Sequence, residues 1–434
     1  MTISEMFKEL LANLAIDNTE QISLRYGEIT TALNKKFRSS DSKTANTLQV
    51  GSYGRKTAIK GISDLDMLYI MPKSEWDTYK DNKQLKLLQD VKAAIDTRYP
   101  STATRVDRQV VVATFTNFEI EVLPVFEQDD GSFKYPDTYD GGSWCITKPR
   151  KEIKAISDMD SDKNSNLRRL CKMTRAWKNK HGVAMGGLLI DTLAHNYLKS
   201  TDEYNDKSYT YYDWMIRDFF KYLSELPEQA YYLAPGSNQQ VKVKKKFQSK
   251  AKKAYKLCLK AIEAGEEKSA HNKWKKVFGR PFPAKEEVTT ESSASKSEQT
   301  WQNTEEFIED KYPVDIRYAL TIDCKVTQDG FREFLLRGWL KNKIPLKANK
   351  RLRFSITLNS TPEPFKVKWK VLNRGDVAKK RNCIRGQIFE GAGNQQLRES
   401  TDFTGEHIVE CYIIKNGVVV AKDRIDVPIQ GANL

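Results

Sequence analysis

Apolar residues near the start of the chain recur every three or four positions. Ile22, Tyr26, Ile29, Leu33 and Phe37 mark one face of a helix over 19–37, and a shorter helix precedes it over 4–14. Leu85, Leu88, Val91 and Ile95 mark a further amphipathic helix over 81–99. Residues 64–71 alternate as a short strand does. So do 105–114 and 117–126, which read as two strands around a Thr116-Asn117 turn. From 148 to 262 the helical period dominates. The stretch 284–304, AKEEVTTESSASKSEQTWQNT, is polar and rich in Ser, Thr and Glu, as a linker is. Past it, the segments 316–326, 334–340, 352–358, 367–372, 385–389, 407–415 and 418–427 alternate apolar and polar with Asn-Gly and Gln-Asp-Gly turns between them, which predicts an all-β sandwich. The expected class is α+β. The expected division is 1–165, a first α+β domain; 166–283, a helical lobe; 284–304, a linker; and 305–434, the β domain.

The chain has 434 residues, and its apolar runs fall far short of the ~20 residues a membrane helix needs. The first residues carry acids and lack the basic-then-apolar pattern of a signal peptide. The six cysteines are scattered with no C-x-x-C spacing, which suits reduced thiols better than disulfides or a thiolate zinc site. These features disfavour secreted, membrane and zinc-finger classes and predict a cytoplasmic protein with no membrane partner. The formal net charge is +15. Much of it sits in 241–280, which holds 14 Lys and Arg against three Asp and Glu. This segment is either a polynucleotide contact or the solvated face of an amphipathic helix with Phe247, Ala251, Ala254, Tyr255, Cys258, Leu259 and Ile262 on its other side.

The strongest chemical signal is Gly51-Ser52-Tyr53-Gly54-Arg55 followed by Ser63-Asp64-Leu65-Asp66. A Gly-Ser pair ahead of a helix offers backbone N–H groups and a hydroxyl to a phosphate. Asp64 and Asp66 are two apart on a strand, so their side chains share a face. Two carboxylates on one face, soon after a phosphate cradle, suit a hard divalent cation that bridges to a triphosphate. A third acid should converge on them. In Phe118-Glu119-Ile120-Glu121-Val122-Leu123-Pro124, Glu119 and Glu121 share a face opposite Phe118, Ile120 and Val122.

This order of Gly-Ser, spacer, Asp-x-Asp and an acidic strand ending at proline resembles the polymerase-beta-like nucleotidyltransferases. Within them, GSYGRKTAIKGISDLDMLYIMP resembles the bacterial cGAS/DncV-like, CD-NTase or SMODS group, over residues 1–280. The resemblance implies a polymerase-beta-like core with a helical second lobe, and a metal site of two Mg2+ or Mn2+ ions. Asp64, Asp66 and Glu121 are its implied catalytic and metal-holding residues, with Glu121 standing where the family usually has Asp. Gly51, Ser52 and Arg55 are implied nucleotide contacts. So are Lys172 and Arg175 in NLRRLCKMTRAWKN, with Arg175 in place of the usual lysine before x-Trp, and Ser237 in APGSNQ. The implied activity condenses nucleoside triphosphates into a cyclic or short linear oligonucleotide messenger for antiphage defence, read by a separate effector protein. Residues 305–430, with VKWKVLNRG, IRG and ESTDFTGEHIVEC, resemble the AGS-C domain, a predicted sensor module. There Trp369, Arg385 and His407 are either ligand contacts or, respectively, a core residue and parts of a buried polar network. Two other readings stand beside synthesis: a nucleotidyltransferase acting on RNA or protein, and an inactive nucleotide-binding sensor.

Overall fold

A computed structural model describes residues 1–284, 306–342, 344, 346–347, 349–373, 385–390, 396–401 and 405–430. The expected linker, beyond Ala284, lies outside the described residues, as do Arg374, Gly375, Ile384, Asp402, Phe403 and Thr404 of the C-terminal motifs. The contacts group Met1–Lys180 and residues 185–284 into one compact unit. The described residues from 306 onward, with His181–Ala184, form another.

The first unit opens with α1 (Ile3–Asn13), where Thr2 and Glu5 form a reciprocal capping box, and α2 (Thr19–Arg38). Then follow β1 (Thr47–Gln49), the single turn α3 (Gly51–Gly54), β2 (Asp64–Ile70), α4 (Trp76–Tyr79) and α5 (Gln84–Arg98). β3 (Ala103–Asp107), β4 (Val110–Thr114), β5 (Glu119–Glu127), β6 (Phe133–Asp137) and β7 (Ser143–Thr147) complete a seven-stranded sheet whose main order is β1-β2-β5-β4-β3. β2 and β5 run parallel; β1 and β4 flank them antiparallel. Leu65 and Met67 of β2 and Ile120 and Val122 of β5 face a core shared with Ile22, Ile29 and Leu33 of α2 and Leu88 and Val91 of α5. Period-two alternation therefore turns Asp64, Asp66, Glu119 and Glu121 to the opposite face.

The second half of this unit holds α6 (Pro149–Asp162), α7 (Asn166–His181), α8 (Gly187–Lys199), α9 (Tyr212–Glu225), the hairpin β8 (Tyr231–Leu233) and β9 (Gln240–Lys242), α10 (Gln248–Glu263) and α11 (Lys268–Phe278). Phe7 of α1 closes the chain on itself. Its ring packs edge-on against Trp274 at 5.1 Å and Phe282 at 5.7 Å.

The C-terminal unit is a β-sandwich, as its alternation predicts. Its helices are α12 (Ile308–Lys311) and α13 (Leu336–Leu340). Its short strands are β11 (Phe334–Leu335), β12 (Leu346–Lys347), β15 (Ile388–Glu390) and β16 (Gln396–Ser400). The central strands are β10 (Leu320–Thr327), β13 (Arg351–Asn359), β14 (Lys366–Asn373), β17 (Gly405–Lys415) and β18 (Val418–Gln430); one sheet has the order β11-β10-β13-β16 and the other β12-β18-β17-β14-β15. Ile322 and Phe354 of one sheet share a core with Trp369, Cys411 and Val427 of the other.

Two expected strands differ. The stretch 105–114 is a hairpin, because Arg108 takes a positive φ of 51° and lays its guanidinium on Asp137 at 2.8 and 2.7 Å. The stretch 334–340 is strand only at Phe334–Leu335 before turning into α13, whose Arg337 N–H donates to the Asp323 carboxylate at 3.0 Å. Trp369 is fully buried, so its ring serves the core and faces no ligand. Trp369→Ala is expected to cost ~3–5 kcal/mol, seen as an earlier unfolding transition of the sandwich on heating; an unmoved transition contradicts the assignment.

Candidate active site

The parallel register of β2 and β5 sets Asp64 beside Glu119 and Asp66 beside Glu121. Yet the two glutamates differ. Glu119 is buried and receives both ends of the Arg105 guanidinium at 3.0 and 3.2 Å, with the Thr114 hydroxyl at 2.7 Å. Its charge is therefore matched by protein. Glu121 remains with the aspartates: one carboxylate oxygen each from Asp64, Asp66 and Glu121 lies within 4.8 Å of the others. Burial, and then the neighbouring Asp66 and Glu119, push the Glu121 carboxyl up to about 8. A cation at the cluster would favour the charged form of Glu121, and an all-oxygen donor set suits a hard cation such as magnesium or manganese. The residues present fit a metal site.

The Gly51-Ser52 turn lies directly against this cluster. The Val50 N–H donates to the Asp66 carbonyl at 3.0 Å, which brings Gly51, at φ +62°, over the Asp66 side chain. A Cβ on Gly51 would sit 1.7 Å from Asp66 Oδ2, and one on Gly54 would sit 2.3 Å from the Gln49 carbonyl. Both glycines are thus required by close approach. Ser52 is half-buried, and its hydroxyl has no hydrogen-bond partner among the described residues.

The cations expected at the nucleotide have protein partners of their own. Arg55 and Arg175, both buried, converge on Asp191, which is fully buried: Arg55 Nε donates to Oδ2 at 2.8 Å and Arg175 Nη1 to Oδ1 at 2.6 Å. The Thr57 hydroxyl adds a third donor at 2.9 Å. Burial pushes the Asp191 carboxyl up, but Arg175 and Arg55 outweigh it and hold it down at about 2. Arg55 also approaches Glu152 at 4.0 Å, and Ser237 donates to that glutamate at 2.9 Å. Arg175, Asp191, Arg55, Glu152 and Ser237 are therefore one connected network. Lys172, one turn before Arg175, is half-buried and forms no ion pair among the described residues; burial, then Arg168, lower its pKa. Neither Asp191 nor the Arg105–Glu119 clamp was read from sequence. A visible signal existed for the first: an aspartate inside the apolar run GLLIDTLA needs a buried partner.

The sheet carrying three converging carboxylates beside a Gly-Ser turn is that of a polymerase-beta-like nucleotidyltransferase. Residues 1–160 match the Second Messenger Oligonucleotide or Dinucleotide Synthetase (SMODS) domain, and residues 302–430 match the Adenylyl/Guanylyl and SMODS C-terminal sensor (AGS-C) domain. The chain belongs to the SMODS, or CD-NTase, nucleotidyltransferases and carries an AGS-C domain after the enzymatic part. It is 22% identical over 304 residues to a cyclic AMP-AMP-AMP synthase of Acinetobacter, covering 65% of this chain and 86% of that protein. It is 28% identical over 123 residues to a cytidylate cyclase of Staphylococcus aureus, covering 28% of each. The fold is similar to that of E. coli CdnC in its complex with HORMA-deltaN, with a TM-score of 0.50, 12% identity, and coverage of 64% of this chain and 96% of that one. No helix among the described residues is long and apolar enough to cross a membrane.

Two outcomes follow from the geometry. Asp66→Asn removes a charge that opposes ionisation of Glu121 and repels Asp64. It should raise stability in EDTA by about 1 kcal/mol, the equivalent of one pKa unit of repulsion, and abolish the rise in melting temperature that Mg2+ or Mn2+ gives the wild type. A variant that melts earlier and still responds to the cation contradicts the assignment. Asp191→Asn removes the carboxylate charge that both buried guanidinium groups share, leaving Arg55 only the more distant Glu152, and should cost ~3–5 kcal/mol in urea unfolding. Because the folded-state pKa of Asp191 is depressed, its contribution is present above about pH 4 and is lost as pH falls toward 2. The cost of the substitution should shrink over that interval.

Proposed function

We propose that this chain condenses nucleoside triphosphates into a cyclic or short linear oligonucleotide, releasing pyrophosphate. The observation that carries the reading is the convergence of Asp64, Asp66 and Glu121 within 4.8 Å beside the Gly51-Ser52 turn. These acids would hold two Mg2+ or Mn2+ ions, which supply Lewis-acid stabilisation of the charge developing at a phosphoryl centre. Ser52, with an uncommitted hydroxyl, and the Gly51 backbone bind the donor triphosphate tail. Glu121 favours the deprotonated form of the attacking ribose hydroxyl. Lys172 offsets the negative charge of the leaving pyrophosphate. Arg55, Arg175 and Ser237 act through the Asp191 and Glu152 network, which fixes the turn that carries Ser52. The similarity to a cyclic AMP-AMP-AMP synthase supports a cyclic product. A separate effector protein then reads that product in an antiphage response, within the cytoplasm where the triphosphates are found.

Incubating the purified protein with mixed nucleoside triphosphates and Mg2+ or Mn2+, then analysing products by mass spectrometry, tests the reading. Wild type should yield an oligonucleotide together with pyrophosphate. The Asp64→Asn, Asp66→Asn double variant should lose at least 1000-fold of that rate, since ~4 kcal/mol of transition-state stabilisation is at stake. Product unchanged in the variant removes the assignment.

A further inference from the structure

A groove of about 660 Å³ opens on the first unit, between α2 and the turn joining β4 to β5. It lies within the size range of small-molecule sites. It is separate from the acidic cluster, because α2 packs on the sheet face opposite Asp64 and Asp66. Three features define what it accepts. Its single cationic side chain is Arg25, whose guanidinium lies over the rings of Phe115 at 5.2 Å and Tyr99 at 5.5 Å. Arg25 forms no ion pair among the described residues, and its one hydrogen bond, to the Tyr99 hydroxyl, is long at 3.4 Å. Glu28, one turn along α2, is engaged by Arg98 and Lys43. No acid lines the groove among the described residues. The walls are amphipathic: Leu24, 54% exposed, and Phe115 offer apolar surface, while Ser101, Thr102 and Thr116 supply hydroxyls.

We infer that this groove binds a planar aromatic acid bearing one negative charge. The guanidinium supplies a planar, paired-donor match to a carboxylate. One cation with no second Lys or Arg in the lining favours a monoanion over a phosphate dianion. The exposed Leu24 and the half-buried Phe115 take the ring, whose burial adds ~25 cal/mol per Å². The inference is independent of the chemistry assigned to the carboxylate cluster.

Calorimetric titration of the full-length protein with 2-naphthoate tests it, with neutral 2-naphthamide and inorganic phosphate as comparisons. One molar equivalent of naphthoate should bind, at least ten-fold more tightly than either comparison. Arg25→Gln should weaken it at least ten-fold while leaving the cation-dependent rise in melting temperature unchanged. Ala103→Trp, which fills the groove from its β3 wall and leaves Arg25 unsubstituted, should abolish binding and covers the case in which the arginine variant does not fold. Absence of naphthoate binding, equal binding of phosphate, or full binding in both variants overturns the inference. Displacement of naphthoate by ATP with Ca2+ also overturns it, by merging the groove with the nucleotide site.

Discussion

Everything at the candidate active site depends on the parallel pairing of β2 with β5 in one register. Cross-strand neighbours on one face meet only if Asp66 lies opposite Glu121. A slip of one residue would send the acids into the core of Leu65, Met67, Ile120 and Val122 and bring those side chains to the surface. The hydrophobic face thus does the aligning, and the carboxylates ride on it. This division lets the fold tolerate what would otherwise expel itself: burial and mutual repulsion oppose charge at Glu121, while a core made by α2, α5 and five strands holds the backbone beneath it. Arg105 narrows the charge further. By neutralising Glu119 it leaves three acids, not four, in the cluster.

A second constraint ties the Gly51-Ser52 turn to the helical half. Asp191 gathers Arg55 and Thr57, which follow the Gly-Ser turn, together with Arg175 from α7. The Thr57 N–H also donates to the Ser52 carbonyl at 2.9 Å. The position of Ser52 is thereby set by a carboxylate on α8, more than a hundred residues away in sequence. Burying one anion with two cations is costly in desolvation, and apolar side chains of similar volume would serve stability as well. Its physical merit is direction: three donors on two carboxylate oxygens fix an orientation that apolar packing leaves free.

The sequence exposed what periodicity and local spacing can encode. The helices of the first unit, the Asp-x-Asp strand, the acidic strand and the sandwich all follow from repeats of two or 3.6 residues. What it hid was pairing. Nothing local distinguishes Glu119 from Glu121; only Arg105, brought alongside by the β3–β4 hairpin, does so. That hairpin was itself concealed, because Arg108 is neither Gly nor Asn and yet takes a positive φ. Arg55 and Arg175 are expected as nucleotide contacts through the family resemblance. Their convergence on Asp191 is a tertiary fact about a residue embedded in an apolar run. The α13 turn is hidden for a similar reason: Asp323, which accepts the Arg337 N–H there, lies on β10.

The basic segment shows how pattern and charge must be weighed separately. On α10, Ala251, Ala254, Cys258 and Ala261 are buried, so the amphipathic reading holds, although Leu259 turns outward and is 41% exposed. Lys252, Lys253, Lys256 and Lys260 lie exposed with no ion pair among the described residues. Amphipathicity accounts for the buried stripe and leaves the charge of the other face unexplained, since any polar side chain would keep that face wet. Screening decides how such charge acts. At physiological salt the Debye length is ~8 Å, less than the diameter of one helix with its side chains. The lysines of α10 therefore have little hold on an anion several helices distant and a strong one on a polyanion laid along the helix itself. Whatever role this surface has, it is exercised by contact, whereas the carboxylate cluster lies in a half-buried site where screening is weak.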